Sequence, residues 1–367
     1  MQSPAAGAPA AAAANTPYKV LKSARVGGEG GTDYIHADPV GRRIYITRNA
    51  VRAVAATATA PAVVAVPGRV SVFDIETLAP LGEVINGGGN GAVVDYKSGH
   101  GFASSQPISM FDVKTLQMMK TIDPNEGNPP PAQQFQKDGI YFDPYNQRVW
   151  IGSHPTKDAL VLDSKTGASL GKVPLGGVPE QTVGDGKGTI YFVLQDPIGS
   201  VAVIDANTMK VTKHFPFPNI GRCNGLAIDV KNSILFAACG ATGDPPVQPA
   251  QPKMVVLSAI DGKILATLPL AGSSDGASFN PATMEAFSTH GNGTMTVVKE
   301  FSPTRFEVTQ NLDTMNGART IAFDPKTGHI FVMSVERGPA PPAPAGGGRG
   351  GAAPVIPGSF TVLMIGR

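Results

Sequence analysis

The stretch from Arg69 to Ile85, RVSVFDIETLAPLGEVI, reads as a strand, a turn and a second strand, and the chain repeats it. It returns as PISMFDVKTLQMMKTI from Pro107, DALVLDSKTGASLGKV from Asp158 and GSVAVIDANTMKVTKHF from Gly199. A second hairpin alternates with the first: YIHADPVGRRIYIT from Tyr34, GIYFDPYNQRVWIG from Gly139, GLAIDVKNSILFAA from Gly225 and TIAFDPKTGHIFVM from Thr320. Looser copies begin near Ala92, Thr182 and Ala277. Joined, the two hairpins make a four-stranded antiparallel unit that occurs seven times. The residue closing its third strand falls at Asp74, Asp112, Asp163, Asp205, Ser258, Lys299 and Met364, at spacings of 38 to 65 residues. Four strands every 40 to 50 residues or so, lengthened in places by insertions, is the signature of propeller blades.

The fold class that follows is all-β, a seven-bladed β-propeller of four-stranded antiparallel blades. With 44 Gly and 33 Pro in 367 residues, the composition suits many tight turns. No window keeps apolar residues at i, i+3, i+4 and i+7 over three turns, so no substantial helix is expected. The last unit stops at its third strand, SFTVLMIGR, whereas the segment YKVLKSARV from Tyr18 has no earlier partner. The N-terminal strand therefore completes the last blade and leaves no open sheet edge. Residues 18–367 form one propeller behind a disordered Ala/Pro-rich leader, 1–17. Long Ala/Pro/Gly-rich loops at 50–68, 240–252 and 337–358 decorate its top face.

The Asp-Pro turns, the IYIT-like strands and the VSVFD…T-like strands together resemble the YVTN (YncE-like) seven-bladed β-propellers, from about Tyr18 to Arg367. The pattern departs from the family's regular spacing in blades 2 and 6, AVVDYKSGHGFASS and ASFNPATMEAFSTH. The resemblance implies a binding or scaffolding role. Related seven-bladed propellers also include lactone hydrolases and carbon–oxygen lyases, some of which use a divalent cation. A fold of this kind hosts many functions, so the site residues must carry the argument.

Most of the acids are structural in this reading. Asp74, Asp112, Asp163 and Asp205, with Thr77, Thr115, Thr166 and Thr208, are turn residues whose side chains bond nearby backbone. Asp38, Asp143, Asp229 and Asp324 are assigned likewise. The residue opening each innermost strand is more informative: Asp33, Asn90, Asp138, Glu180, Asn224, Asp275 and Arg319, in ring order, surround the top of the channel. Arg319 lies between Asp275 and Asp33, which makes a charge-balanced cluster or a place to steady an anionic substrate. Asp33, Asn90, Asn224 and Asp275 are candidate ligand-binding residues. Asp138 and Glu180 are neighbouring acids with Asn on either side. Two such carboxylates raise one pKa or recruit a cation, and oxygen donors suit Ca²⁺ or Mg²⁺. Pro179 is the alternative to Glu180 at its position.

His154 (GSHPT) and His290 (STHGN) both fall near the top of a second strand, in blades 3 and 6. They are expected on opposite sides of the channel, each a candidate general base, too far apart to share one ion. His36 is expected in packing; His100 and His329 lie toward the bottom turns. In CNGLAIDVKNSILFAAC, pairing Leu226 with Phe236 and Ile228 with Ile234 sets Cys223 opposite Cys239. A disulfide fits that geometry, and with it an exported location, periplasmic or secreted. Two free thiols are the rival reading.

With 30 basic and 28 acidic residues scattered along the chain, charge gives no case for nucleic acid. No apolar run approaches the roughly 20 residues that span a bilayer. MQSPAAGAPAAAAANTP lacks the basic and apolar regions of a working signal peptide. Haem-attachment, P-loop, zinc-protease and nucleophile-elbow motifs are all missing. The first functional reading is a propeller that binds a small molecule or a protein on its top face. The alternative is a cation-assisted lactone hydrolase or carbon–oxygen lyase at the channel mouth.

Overall fold

Each repeated segment becomes a strand because β-branched and aromatic residues fill a pleated surface buried on both sides. Its Asp–Thr pair then closes the turn. In the computed structural model, Asp74 Oδ1 accepts hydrogen bonds from the Thr77 amide and hydroxyl, both at 2.7 Å. Asp112 does the same with Thr115, and Asp163 with Thr166. Asp205 accepts the Thr208 amide at 2.9 Å. The bonds to backbone and hydroxyl hold all four carboxyls below the usual carboxylate range. The next residue is left-handed in every copy (Leu78, Leu116, Gly167 and Met209), which turns the chain into the fourth strand.

The structure describes residues 16–56, 62–127, 133–196, 199–218, 220–240, 251–340 and 353–367. Among them every strand belongs to one of seven four-stranded antiparallel sheets, and there is no helix. Blades 1 to 6 begin with the inner strands Ile35–Asp38, Ala92–Asp95, Lys137–Asp143, Pro179–Gly184, Cys223–Asp229 and Ser274–Asn280. Blade 7 takes Ile321–Asp324, His329–Ser334 and Thr361–Gly366, and Lys19–Arg25 adds its outer strand. The ring is closed as the sequence predicts. No helix of the described residues is long and apolar enough to cross a membrane.

The core is divided into seven apolar layers, one in each seam between blades. Tyr45, Val72 and Phe111 fill the seam between blades 1 and 2, for example, and Trp150, Val161 and Phe192 that between blades 3 and 4. The turn acids also tie seams together. Asp324 Oδ2 of blade 7 accepts from Arg42 of blade 1 at 2.7 Å, and Asp95 Oδ2 of blade 2 from Ser164 of blade 3 at 2.7 Å.

Two local expectations need correction. In blade 6 the third and fourth strands, Thr294–Ser302 and Arg305–Asp313, run longer than in other blades, so Lys299 lies inside a strand rather than at its end. In the cysteine hairpin the register is displaced by one residue: Leu226 faces Ala237 and Ile228 faces Leu235. A bulge between Cys223 and Gly225 removes the displacement, so Cys223 still faces Cys239 and the two form a disulfide.

Of the long loops, residues 50–56 and 62–68 pair through the bridges Val51↔Val66 and Val54↔Val63, with 57–61 outside the described residues, and Arg337 pairs with Val355. Residues 1–15 of the expected leader, 241–250 and 341–352 lie outside the described residues.

Candidate functional site

A repeated irregularity builds the channel mouth. In blades 3 to 6 the inner strand carries a bulge near its start, between Lys137 and Ile140, Pro179 and Thr182, Cys223 and Gly225, and Ser274 and Gly276. Asp138, Glu180, Asn224 and Asp275 sit in these bulges, a device that re-aims a side chain at the end of a strand. Asp33, Asn90 and Arg319 hold the same place just before the shorter inner strands of blades 1, 2 and 7.

These side chains meet. Asn224 Nδ2 donates to Asp275 Oδ1 at 3.2 Å, and Asp275 Oδ2 pairs with Arg319 Nε at 2.9 Å. Arg319 Nη2 reaches Asp33 Oδ1 at 3.5 Å. Asn90 Nδ2 donates to Asp33 Oδ2 at 3.2 Å and to Asp138 Oδ1 at 2.7 Å. A chain of polar contacts thus runs from blade 5 through blades 6, 7, 1 and 2 to blade 3. Lower in the channel, Gln181 accepts the amides of Leu226 and Ala277 at 2.9 and 2.8 Å and ties blade 4 to blades 5 and 6.

The two histidines part company. His154 follows the second strand of blade 3 and turns its Nε2 inward, 2.8 Å from Asp138 Oδ2 and 3.4 Å from Glu180 Oε1. His290 is the last residue of its strand, paired with Ser274 and fully buried. Its Nδ1 contacts Thr294 Oγ1 at 2.9 Å, away from the other site residues. The equivalent of His290 in blade 3 is Ser153, since Ser153 pairs with Lys137 as His290 pairs with Ser274. One residue of offset sends one imidazole into the mouth and the other into the core.

Burial pushes the His290 imidazole down to about 4, and no charged group opposes it. Its neutral form is the one that fits the fold. The unfolded chain takes up a proton below the ordinary histidine value of 6.5, and the folded chain does not until about 4. Stability is therefore lost as pH falls through that window. We expect His290→Gln to remove about 2 kcal/mol of the stability difference between pH 7 and pH 5, measured by urea unfolding at both values. An unchanged pH dependence would contradict this account.

Around the Asp138–Glu180 pair are groups that the sequence did not single out. Tyr34 OH donates to Glu180 Oε2 at 3.3 Å, Gln195 Nε2 donates to Glu180 Oε1, and Lys137 Nζ donates to Asn90 Oδ1 at 2.5 Å. Tyr34 and Lys137 adjoin Asp33 and Asp138 in sequence, the one signal that pointed to them. Burial and the charges of Asp138 and Asp275 push Asp33 up to about 6, against the pull of Arg319 and Lys137. Burial also pushes Glu180 up to about 7, although His154 opposes it. For His154 burial favours the neutral ring, yet Asp138 and Glu180 prevail and carry it up to about 10.

One ligand atom from each of Asp138, His154 and Glu180 lies within 4.8 Å of the others. Asp138 Oδ2 and His154 Nε2 are buried and have no partner in hydrogen-bond geometry, despite their 2.8 Å separation. Buried polar atoms are seldom left so. Three converging donor atoms, one imidazole nitrogen and two carboxylate oxygens, fit a divalent cation. The donor set differs from the all-oxygen one on which Ca²⁺ or Mg²⁺ was expected: imidazole with two carboxylates also suits Mn²⁺, Fe²⁺, Co²⁺ or Zn²⁺.

No protein-family model matches the sequence, and none of the curated proteins does. Among solved structures the chain is similar to hydrazine synthase of Kuenenia stuttgartiensis, with a TM-score of 0.64 and 13% identity, over 82% of this chain and 91% of that one. It is also similar to a chain in a crystal structure of the mitotic checkpoint complex, with a TM-score of 0.65 and 10% identity, over 90% of this chain and 93% of that one. Likeness at such identities establishes the propeller fold and nothing about chemistry.

Proposed function

We propose that this protein is a ligand-binding β-propeller of the YVTN type, which holds a small anionic molecule at the channel mouth against a divalent transition-metal ion. The observation that carries the reading is the convergence of one donor atom each from Asp138, His154 and Glu180 within 4.8 Å, two of those atoms buried. Asp138, His154 and Glu180 would hold the ion, and Asn90 and Gln195 would orient the two carboxylates. When bound, such an ion polarises an oxygen of the ligand. Arg319, fixed between Asp33 and Asp275, offers a guanidinium to the ligand's negative group. The Cys223–Cys239 disulfide supports an exported location, periplasmic or secreted, which cell fractionation would check.

The test is metal analysis of the purified protein with melting temperatures before and after EDTA. The expected result is one Mn²⁺, Fe²⁺, Co²⁺ or Zn²⁺ per chain. Its removal should cost roughly 3 to 4 kcal/mol of stability at metal concentrations of 100 to 1,000 times Kd. A metal-free protein that neither takes up these ions nor responds to EDTA would sink the metal reading.

A second reading, catalysis, is favoured by Asp33. Its carboxyl, held near 6 in a mouth that also contains Arg319, is suited to take a proton from a water or a substrate carbon near neutral pH. Screens against lactones and against substrates of carbon–oxygen lyases separate the two readings.

A further inference from the structure

Beside the mouth, between blades 7 and 1, lies a cleft of about 620 Å³, within the size range of small-molecule sites. Three arginines from separate segments line it: Arg48 at the end of a strand of blade 1, Arg319 before the inner strand of blade 7, and Arg337 after the second strand of blade 7. We infer that this cleft binds the carboxylate of a small organic acid. The inference rests on the mouth being a ligand site and names the class of ligand.

Arg48 is the strongest sign. It is 1% exposed, and its guanidinium stacks 3.7 Å over the Phe360 ring. Its hydrogen bonds run to the carbonyls of Gly27, Gly28 and Gly30, and among the described residues it forms no ion pair. Its partner across the strands is another cation, Arg69, which is matched by Glu83. Burial and the neighbouring Arg69 push the Arg48 guanidinium down to about 10. Glu29 and Glu83 attract it without pairing with it, and a buried positive charge with no ion-pair partner among the described residues is costly until an anion approaches.

The glycine-rich segment packs closely against both guanidiniums. At Gly28, with φ of 82°, a Cβ would come within 2.7 Å of Arg69 Nη2, so only glycine lets the backbone lie over the two guanidiniums. The acids in the lining are Glu29, which is exposed, and Asp33, which already engages Arg319 and Asn90. Arg319 is matched by Asp33 and Asp275, so among the described residues Arg48 and Arg337 are the guanidiniums of the lining without an ion-pair partner. Planar guanidinium groups bind carboxylates in a bidentate fashion. Met333, Val335 and Phe360 add an apolar wall, which suits an organic acid better than an inorganic ion. Because Asp33 and Arg319 border both cleft and mouth, a carboxylate anchored here would leave the rest of the molecule near Asp138, His154 and Glu180.

The test is calorimetric titration of EDTA-treated protein with succinate, succinamide and inorganic phosphate, repeated after adding back Mn²⁺. We expect succinate to bind without metal and to weaken as NaCl is raised from about 50 to about 300 mM. Arg337→Glu, an exposed change whose folding is checked by circular dichroism, should weaken succinate by at least about tenfold. No succinate binding, equal binding in Arg337→Glu, or equal binding of uncharged succinamide would each overturn the inference. Phosphate binding more tightly than succinate would overturn the carboxylate assignment. Succinate binding in a protein that takes up no metal would sink the metal reading and leave this one standing.

Discussion

Replacing Asp138 by asparagine (D138N) is expected to weaken divalent-metal binding by at least about 100-fold, more than the loss of an outer hydrogen-bond partner usually brings. The reason is local. Asp138 Oδ2 is buried with no hydrogen-bond partner, 2.8 Å from His154 Nε2, while Oδ1 is already taken by Asn90 at 2.7 Å. Oδ2, which faces His154, is thus the oxygen left for an ion. Asparagine puts either a neutral oxygen or an NH₂ group there, and the charge that offsets the ion's desolvation is gone. Glu180→Gln should follow the same direction. The measurement is titration with Mn²⁺ and Zn²⁺ by calorimetry, alongside melting curves with and without the ion.

The rival account gives a different pattern. If the cluster were only an imidazolium held between two carboxylates, D138N would lower the melting temperature equally with and without metal, because it removes an ion-pair partner of His154. Under the metal account most of the wild-type advantage vanishes after EDTA. Wild-type and D138N proteins that bind metal equally would remove Asp138 from the site.

How much of this was legible in the sequence depends on whether a feature repeats. The Asp-x-x-Thr turns recur with their bonds intact from Asp74 to Asp205, because a hydrogen bond three residues long needs nothing from the rest of the fold. The ring of mouth residues was readable for the same reason: a bulge repeated at one place in successive blades repeats its side-chain direction. What recurs only once was not readable. His154 and His290 looked alike, yet one lies just past its strand and the other ends its strand, and side chains change face at every residue. The cysteine hairpin shows an error of the same size that a bulge cancels. The cleft joins Arg48 of blade 1 to Arg319 and Arg337 of blade 7, which are far from it in sequence, and only ring closure brings the two blades together.

One buried acid latches the closing blade to its neighbour, and its loss is the second large effect expected. Glu285 of blade 6 accepts from Tyr18 OH at 2.8 Å and from Arg367 Nη2 at 2.6 Å, with its side chain 4% exposed. Tyr18 stands just before the outer strand of blade 7 and Arg367 just after the third, so this carboxylate fastens both chain segments of the closing blade to its neighbour. Arg367 also lies over the Tyr18 ring at 4.3 Å, and Gln310 of blade 6 bonds the Tyr18 backbone on both sides at 2.8 Å. Burial and the Glu285 charge push the Tyr18 hydroxyl up to about 12, so it remains a donor throughout the working range. An exposed ion pair would contribute under about 1 kcal/mol. Removing one member of a buried pair strands the other, and Glu285→Ala (E285A) is expected to cost about 3 kcal/mol, read as a lower urea midpoint. Glu285→Gln, which keeps an acceptor for Tyr18, should recover part of it. The same seam carries Asp275 to Arg319 at the mouth, so its failure reaches the site as well. Faster hydrogen exchange confined to Lys19–Arg25 would show that the outer strand detaches alone. A loss spread over all blades would show that the seven seams melt as one, and a cost below about 1 kcal/mol would mean that the apolar layer between blades 6 and 7 closes the ring without the latch.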